Sequence, residues 1–479
     1  MALRVLQLGA IAVVLAATVH PSFDLDRFLV PKELILHVTA LVAGAFTYRM
    51  RATRIDLFLL GFLGLSLLSV GFTTNGWLAF RAIAVSLSSY LIYRAARTVP
   101  QAPLLNALAL AVVIACVMAL LQAYGVWLPV FAENRAPGGT LGNRNFVGHM
   151  SAFGLPLVLL AALRGSRLAP IGATIVTAAF VLTRSRAAWL AGACVVLVFV
   201  VGMLWRARDR WRRFGIVALF AIAGGVAAML IPNTLRWRSD NPYLDSVKNV
   251  AAYEEGSGRG RRVQYQRSLR MAAAYPILGV GPGNWPVVYP DYAGRYDPSL
   301  DHNEAGVTTN PWPSSDWIAY VSERGFAAAL LLAIAMIAIA FKRSDDPLHD
   351  VTRFATLAGA GATGALDAVL LLAAPALIVW AALGALETRQ EPLEKRARLL
   401  TTLLILTFAF ALRSAMQLAA IEVSKTNLTA AAKIDPYNYR LRIRLAHRGK
   451  RAERCEHARA AHDLFPNAVE ARRLAKGCD

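Results

Sequence analysis

The sequence predicts an all-α protein that crosses a membrane many times. Hydrophobic residues make up 56% of the chain and only 17% of the residues are charged, a balance too apolar for a soluble protein of this length. Apolar runs of roughly 17 to 25 residues, long enough for a helix to cross a hydrocarbon core of about 30 Å, recur along the chain. Arginine and lysine are concentrated in every second loop between these runs. Together these observations indicate a polytopic membrane protein.

The apolar runs predict about 12 to 13 transmembrane helices. Spans eleven and twelve together cover just 35 residues, with Asp367 in the middle, so two short helices meeting near the outer face and one broken re-entrant helix both fit. We expect Asp367 to lie at a helix end, although carboxylates inside membranes are otherwise candidates for function. The predicted spans are 3–20, 33–50, 55–73, 77–95, 104–125, 146–164, 167–183, 187–205, 214–232, 316–341, 352–367, 370–386 and 399–420.

Basic residues follow every even-numbered span, and the positive-inside rule therefore places those loops in the cytoplasm. The N-terminus is then cytoplasmic too, and the long segment 233–315 lies outside. These flanks explain most of the net charge of +21, so we do not expect nucleic acid as a partner. The flanking residues are Arg49, Arg51, Arg54, Arg94, Arg97, Arg164, Arg167, Arg206, Arg208, Arg210, Arg212, Arg213, Lys342, Arg343, Lys395, Arg396 and Arg398.

Two domains are predicted, a membrane domain at 1–420 and an outer helical tail at 421–479. The tail contains helical patterns separated by Asp-Pro and Phe-Pro breaks, which resemble a short tetratricopeptide-like unit. An odd number of spans places the tail outside, where Cys455 and Cys478 can form a disulfide.

Arginines on the outer side are the main candidates for chemistry. Arg186 starts span eight, and the segment 254–270 adds further arginines despite the positive-inside trend. A helix is predicted there, around 259–275. A lone arginine can simply extend to the headgroups. A group of them implies an anionic ligand, because guanidinium matches phosphate through two parallel hydrogen bonds. Some of them merely solvate a helix, and we expect Arg261 or Arg262 to be functional.

His302 is the only histidine of the outer segment, and histidine is the usual base at neutral pH. Glu304, Asp316 and Glu323 are competing carboxylate bases. The outer segment contains no metal-binding motif, and we therefore expect neither a metal nor another cofactor. The glycines of 276–285 predict a tight structural turn, whose backbone N–H groups can also assist an anion.

Four motifs resemble the O-antigen ligase and polymerase superfamily of bacterial membrane glycosyltransferases, over roughly residues 100 to 390. They are RAPGGTLGNRNFVGHM with Arg135, Gly139, Thr140, Gly142, Asn143 and Asn145; LTRSRAAWLA with Ser185 and Arg186; GRRVQYQRSLRMAAAYPILGVGPGNW with Arg261 and Tyr265; and PSSDWIAYVSERGFAAALLL with Asp316, Glu323 and Gly325.

The resemblance implies transfer of a glycan from an undecaprenyl-diphosphate carrier to a lipid or glycan acceptor, at the outer (periplasmic) face of the inner membrane and without a metal. It also implies that arginines bind the diphosphate, here Arg186 and Arg261 with Arg135 or Arg262. The supporting residues would be Asn143, Asn145, Ser185, Tyr265 and Glu323.

The chain departs from the family pattern at the catalytic base. Ser314 stands where the family has its catalytic histidine, and Ser315 replaces the following asparagine. Either His302 or Asp316 is then the base, and we expect Glu323 to be a structural residue of the helix. The extra final span and the tail suggest a subgroup with an additional docking surface.

Two other classes of function stay open on the sequence alone. A transporter or flippase of lipid-linked or anionic substrates would also be polytopic, although such proteins commonly show internal repeats and charges at the membrane midplane. A membrane scaffold that recruits partners through the tail is the third hypothesis.

Overall fold

The structure, a computed structural model, describes residues 1–478 except 20–25, 48–51, 133–134, 238, 240, 249–255, 295, 302–306, 309 and 388–397. The described residues are helical apart from turns, loops and one antiparallel pair of two-residue strands, β1 (Leu300–Asp301) and β2 (Val307–Thr308). The helices are α1 (Ala2–Leu15), α2 (Asp26–Ala45), α3 (Arg54–Val70), α4 (Gly76–Ala96), α5 (Gln101–Ala123), α6 (Arg144–Leu163), α7 (Ala169–Thr183), α8 (Arg186–Arg206), α9 (Trp211–Leu230), α10 (Pro242–Lys248), α11 (Gly256–Ala274), α12 (Trp285–Val288), α13 (Asp316–Phe341), α14 (Pro347–Leu366), α15 (Ala373–Ala385), α16 (Arg398–Val423), α17 (Leu428–Ile434), α18 (Tyr439–Ala446), α19 (Arg451–Leu464) and α20 (Val469–Lys476).

Each predicted span overlaps one of these helices. By length and composition, eight helices of the described chain can cross a membrane: α2, α4, α5, α6, α8, α9, α13 and α16. Three further apolar helices, α1, α7 and α15, are shorter. The prediction of an all-α, multi-pass membrane protein is therefore confirmed, while the number of 12 to 13 crossings stays a prediction.

Helix α2 begins earlier than its hydropathy predicted, at Asp26 instead of residue 33. Its first turns carry charged residues, which hydropathy counts as outside a membrane. The protein itself binds these charges: the Lys32 ammonium donates to the Thr140 carbonyl at 2.7 Å, and the Arg27 guanidinium donates to the Phe131 carbonyl at 3.2 Å. Paired buried charges of this kind are compatible with a helix interior.

Spans eleven and twelve are two separate helices, α14 and α15. Asp367 ends α14 in an extended conformation, which corresponds to the expected helix-end residue. Its carboxylate lies 3.9 Å from His149 Nε2 of α6. Helix α15 is buried along its whole length and packs against α1, α2, α5 and α6.

The chain folds into two compact units, each made of separate stretches of sequence. The first comprises 1–53, 87–251 and 336–408, and the second comprises 54–86, 252–335 and 409–479. In the first unit α7 packs against α9, and α14 packs against α6 and α8. The predicted domain boundary at residue 420 stays a prediction.

In the first unit, loops that follow even-numbered spans meet at a shared carboxylate. Arg97 and Lys342 both approach the buried carboxylate of Glu387, at 3.7 Å and 2.5 Å. The Arg353 guanidinium donates one hydrogen bond to the Leu386 carbonyl, directly before Glu387, and another to the Asp350 carboxylate. The exits after spans four, ten and twelve therefore lie on the same side, as the positive-inside reading requires.

In the second unit the tail packs against loops of the membrane domain. The Trp77 indole donates to the Asp435 carboxylate at 3.0 Å. The Asn467 amide donates to the Asp291 carboxylate at 2.7 Å and to the Val287 carbonyl at 3.0 Å. The tail and the segment around α12 therefore lie on the same side of the predicted membrane.

The first helical pattern of the tail, at 421–434, is not one helix. Helix α16 continues to Val423, and α17 starts afresh after Asn427, whose side chain accepts from the Ala430 N–H at 2.9 Å. An asparagine in this capping position favours a new helix start, which a hydrophobic pattern alone does not reveal.

The predicted disulfide between Cys455 and Cys478 is confirmed, and it joins α19 to the end of the tail. We expect that the double variant Cys455→Ser/Cys478→Ser makes the tail less stable by about 3 kcal/mol, because the unfolded chain loses a constraint. Limited proteolysis of the tail measures this change. Thiol titration of denatured protein purified without reductant should find Cys116 and Cys194 alone, and four reactive thiols would contradict the pairing.

Candidate functional site

The loop before α6 is held in a conformation that only glycine permits. The Gln122 side-chain oxygen accepts from the N–H groups of Gly138 and Gly139, each at 2.8 Å. Gly139 has a φ of +50°, and a Cβ there would lie 2.9 Å from the main-chain nitrogen of Ala119. At the end of this loop Asn143 caps α6 by accepting from the Asn145 N–H at 3.0 Å. Asn143 therefore fixes where α6 begins.

The turn between α7 and α8 places Arg186 at a helix start. Arg184 ends α7 in the left-handed region, with a φ of 49°. Ser185 caps α8 through a contact from the Ala188 N–H at 3.4 Å, and Arg186 is then the first, half-buried residue of α8. A Cβ on Gly148 of α6 would lie 2.8 Å from the Ala188 Cβ. This glycine therefore brings α6 close to the turn.

Two further arginines near this turn lie over the same aromatic ring. The guanidinium carbons of Arg144 and Arg184 lie 5.4 Å and 4.4 Å from the ring centre of Trp237. Arg184 Nε also donates to the Ser246 hydroxyl at 3.1 Å. Burial lowers the pKa of Arg184, and the positive charge of Arg144 lowers it further. The cluster therefore gathers positive charge in a partly dehydrated place, which favours an anion.

Arg135 belongs to the same neighbourhood through its main chain. Its carbonyl accepts from the Arg144 N–H at 3.0 Å, while its side chain is exposed. The predicted site residues Arg135, Asn143, Asn145, Ser185 and Arg186 thus all lie in the first unit. The motifs assigned no role to Arg144, Arg184 or Trp237, which lie beside these predicted residues.

In the second unit, helix α11 positions the chain just before Asp316. The Gln264 side-chain oxygen accepts from the Ser314 N–H at 2.6 Å, and the Tyr265 hydroxyl donates to the Ser314 carbonyl at 2.6 Å. Both main-chain groups of Ser314 are therefore bound by α11. Asp316 follows as the first residue of α13 and is fully buried.

The two candidate arginines of α11 differ in their surroundings. Arg261 lies one helical turn before Tyr265 and therefore on the same face. It is half-buried, and its Nε atom is buried with no hydrogen-bond partner among the described residues. Arg262 is exposed. Of the two, Arg261 is better placed to bind a ligand, since a buried donor without a partner is costly.

Glu323 holds the glycine-rich turn at 276–285. Its carboxylate accepts from the N–H groups of Gly283 at 2.8 Å and Trp285 at 3.3 Å, and its carbonyl accepts from the Gly281 N–H at 2.9 Å. The Val280 N–H donates to the Ser322 carbonyl at 2.9 Å. These N–H groups are therefore occupied by protein acceptors, and the suggestion that they assist an anion has no support here.

The predicted site residues thus form two sets. Arg261, Arg262, Tyr265, Asp316 and Glu323 lie in the second unit, apart in sequence from the set in the first unit. His302, the other candidate base, lies outside the described residues.

A search of curated proteins found no match to this chain. Residues 171–333 match the family model described as O-antigen ligase. This stretch contains Arg184, Arg186, Arg261, Tyr265 and Asp316, and so it spans motifs from both units. The match supports the predicted resemblance to the O-antigen ligase and polymerase superfamily: the chain carries an O-antigen ligase domain in residues 171–333, while the motif that begins at Arg135 lies outside the matched stretch.

Proposed function

We propose that this membrane protein transfers a glycan from an undecaprenyl-diphosphate carrier to an acceptor sugar, at the periplasmic face of the bacterial inner membrane. The observation that supports this most is the family match over 171–333, since that stretch holds a half-buried arginine from each unit, Arg186 and Arg261. The family alone supports O-antigen ligase-like glycan transfer in general. The carrier, the face of the membrane and the residues below are part of the proposal.

The chemistry requires positive charge beside the leaving group. The acceptor oxygen forms a bond to the sugar carbon while the bond from that carbon to the carrier phosphate breaks, and the electron pair passes to the diphosphate. Arg186 and Arg261 would bind this diphosphate, with Arg135 or Arg262 assisting, because fixed guanidiniums stabilise charge as it develops. They would do the work that other enzymes assign to a divalent metal ion.

A base must remove the proton of the acceptor hydroxyl for in-line, inverting attack. Asp316 is one candidate, since its carboxylate is buried at the start of α13 and the residues before it are fixed by Gln264 and Tyr265. His302 is the other. Ser314 and Ser315, at the family's histidine and asparagine positions, cannot act as the base at neutral pH.

Comparing two variants identifies the base. If Asp316 is the base, Asp316→Asn should lower the transfer rate about a hundredfold or more, because general-base catalysis supplies a factor of about 10² to 10⁴, while His302→Ala retains most activity. The opposite result would identify His302. Rates are measured at saturating donor, with Asp463→Asn, at an exposed carboxylate of the second unit, as the control. Unchanged turnover in both variants would show that neither is the base.

The placement of the tail supports a periplasmic site. Disulfides persist in oxidising compartments and are rare in the cytosol, and the tail carries the Cys455–Cys478 disulfide. Because the tail contacts Asp291 and Val287, the segment around α12 would share its compartment. The site residues of the second unit belong to the same segment.

The function is tested directly with purified protein, an undecaprenyl-diphosphate oligosaccharide and candidate acceptors, which are lipid A-core, a growing glycan or a protein. We expect a glycosylated acceptor and free undecaprenyl diphosphate, and the same rate in the presence of EDTA. Movement of the carrier across a vesicle membrane without glycosyl transfer would instead favour the transporter or flippase hypothesis.

A further inference from the structure

The C-terminal tail contains a second site, separate from the residues assigned to transfer. A cleft of about 990 Å³ lies among α17, α18 and α19. Its lining begins with Ser424 and Lys425, directly after α16, which is long and apolar enough to cross a membrane and ends at Val423. Because the cleft directly follows a helix of this kind, we expect it at the membrane surface. We call it the tail cleft.

The charged side chains that line the tail cleft are predominantly basic. They include five cations and two carboxylates, Glu453 and Glu456. Lys433 and Arg448 are exposed, and neither side chain has an ion pair or hydrogen bond within the described part of the chain. The five cations are Lys425, Lys433, Arg442, Arg444 and Arg448.

One of these cations is held rigidly. Arg442 Nε donates to the Pro436 carbonyl at 2.8 Å, and Arg442 Nη1 donates to His457 Nδ1 at 2.9 Å. Burial and the neighbouring guanidinium lower the pKa of His457, so this ring is neutral and accepts the hydrogen bond. A pre-positioned guanidinium loses little side-chain entropy when it binds an anion.

The chemistry of the lining fits a phosphorylated oligosaccharide. The cations suit phosphate oxygens, while Thr426, Asn427 and the two carboxylates can exchange hydrogen bonds with sugar hydroxyls. The volume lies at the upper end of the range for small-molecule sites, about 300 to 1,000 Å³. A purely apolar ligand is a poor match, because it would cover these cations without giving them a partner.

We propose that the tail cleft binds the phosphate-bearing sugars of a lipid-anchored acceptor. This inference rests on the proposed function, because it names the chemical class of the acceptor. Two placements support it: the cleft starts at the end of α16, within reach of a membrane-anchored ligand, and the tail contacts the loop at Val287 and Asp291.

The test is a binding measurement without donor, using the full-length protein in detergent. The probes are a lipopolysaccharide core oligosaccharide with its phosphates, and the same oligosaccharide after phosphatase treatment. We expect the phosphorylated form to bind about tenfold more tightly. The double variant Lys433→Gln/Arg448→Gln should lose this preference. Arg473→Gln/Lys476→Gln removes two exposed cations of α20 outside the cleft and should keep it.

Equal binding of the two probes, or equal loss in the α20 control, would overturn the proposal. A second outcome would also overturn it: the variant Lys433→Gln/Arg448→Gln binds phosphatidylglycerol vesicles more weakly but binds the oligosaccharide as before. The cleft would then bind bulk anionic lipid. In transfer assays the same variant should raise the acceptor KM about tenfold with kcat unchanged. Because binding is measured without turnover, a protein that binds the phosphorylated probe but never transfers a glycan would contradict the proposed function alone.

Discussion

Arg261→Ala is expected to lower the rate of glycan transfer about a hundredfold, and Arg186→Ala should do the same. Each change removes a half-buried guanidinium that would face the departing diphosphate, and the loss of one such donor costs about 3 kcal/mol of transition-state stabilisation. Since the charge develops only as the sugar–phosphate bond breaks, kcat should fall more than KM rises. Initial rates at saturating donor, with purified protein, measure the effect.

The same helix supplies a matched control. Arg270 is an exposed arginine of α11, so Arg270→Ala removes the same charge from the same helix and should leave the rate within about twofold of the unchanged protein. Lysine at 261 or 186 should retain part of the activity, because it keeps the charge but loses the paired hydrogen bonds. Full activity of both alanine variants, with thermal unfolding unchanged, would end the proposal of a diphosphate site built from arginines.

Gly325→Ala is expected to destabilise the protein by about 3 kcal/mol or more. Gly325 has a φ of 81° and a ψ of 166° inside α13, a region that costs other residues about 1 to 3 kcal/mol. In addition, a Cβ at this position would lie 2.0 Å from the Ile277 carbonyl oxygen. Because the contact is with backbone, relief requires movement of the turn at 276–285, whose N–H groups Glu323 binds.

Activity should fall with stability, since Asp316 starts the same helix. Gly64→Ala is the control, because a Cβ on this glycine of α3 meets nothing within 4 Å and alanine favours a helix. Its melting temperature should stay the same or rise slightly. If the Gly325→Ala variant had the same melting temperature as the unchanged protein, the close approach of α13 to the turn would contribute no stability.

Hydropathy predicted the membrane helices well because each apolar run must bury itself in lipid or protein whatever its partners are. It failed at the start of α2, where Arg27 and Lys32 are charged yet buried. Their partners are carbonyl groups about a hundred residues further along the chain, and no local pattern records such pairings. The existence and order of the membrane helices were therefore predictable, while their exact ends depended on tertiary contacts.

The candidate site was predictable to a similar degree. Arg186, Arg261 and Asp316 follow from motifs at fixed spacing, and α11 is helical where a helix was expected. Trp237 has no motif, and its role appears only when α6, the α7–α8 turn and the segment after α9 meet. The suggestion that the glycine turn assists an anion has no support at Gly281, Gly283 and Trp285, because Glu323, some forty residues away, binds their N–H groups.

The order of synthesis gives the contacts of the tail a further meaning. The second unit combines an early, a middle and a final stretch of the chain, joined where Trp77 donates to Asp435 and Asn467 donates to Asp291. A nascent chain can insert its helices one by one, but this unit stays incomplete until residues 409–479 have been synthesised. Its packing therefore depends on segments that are made far apart in time.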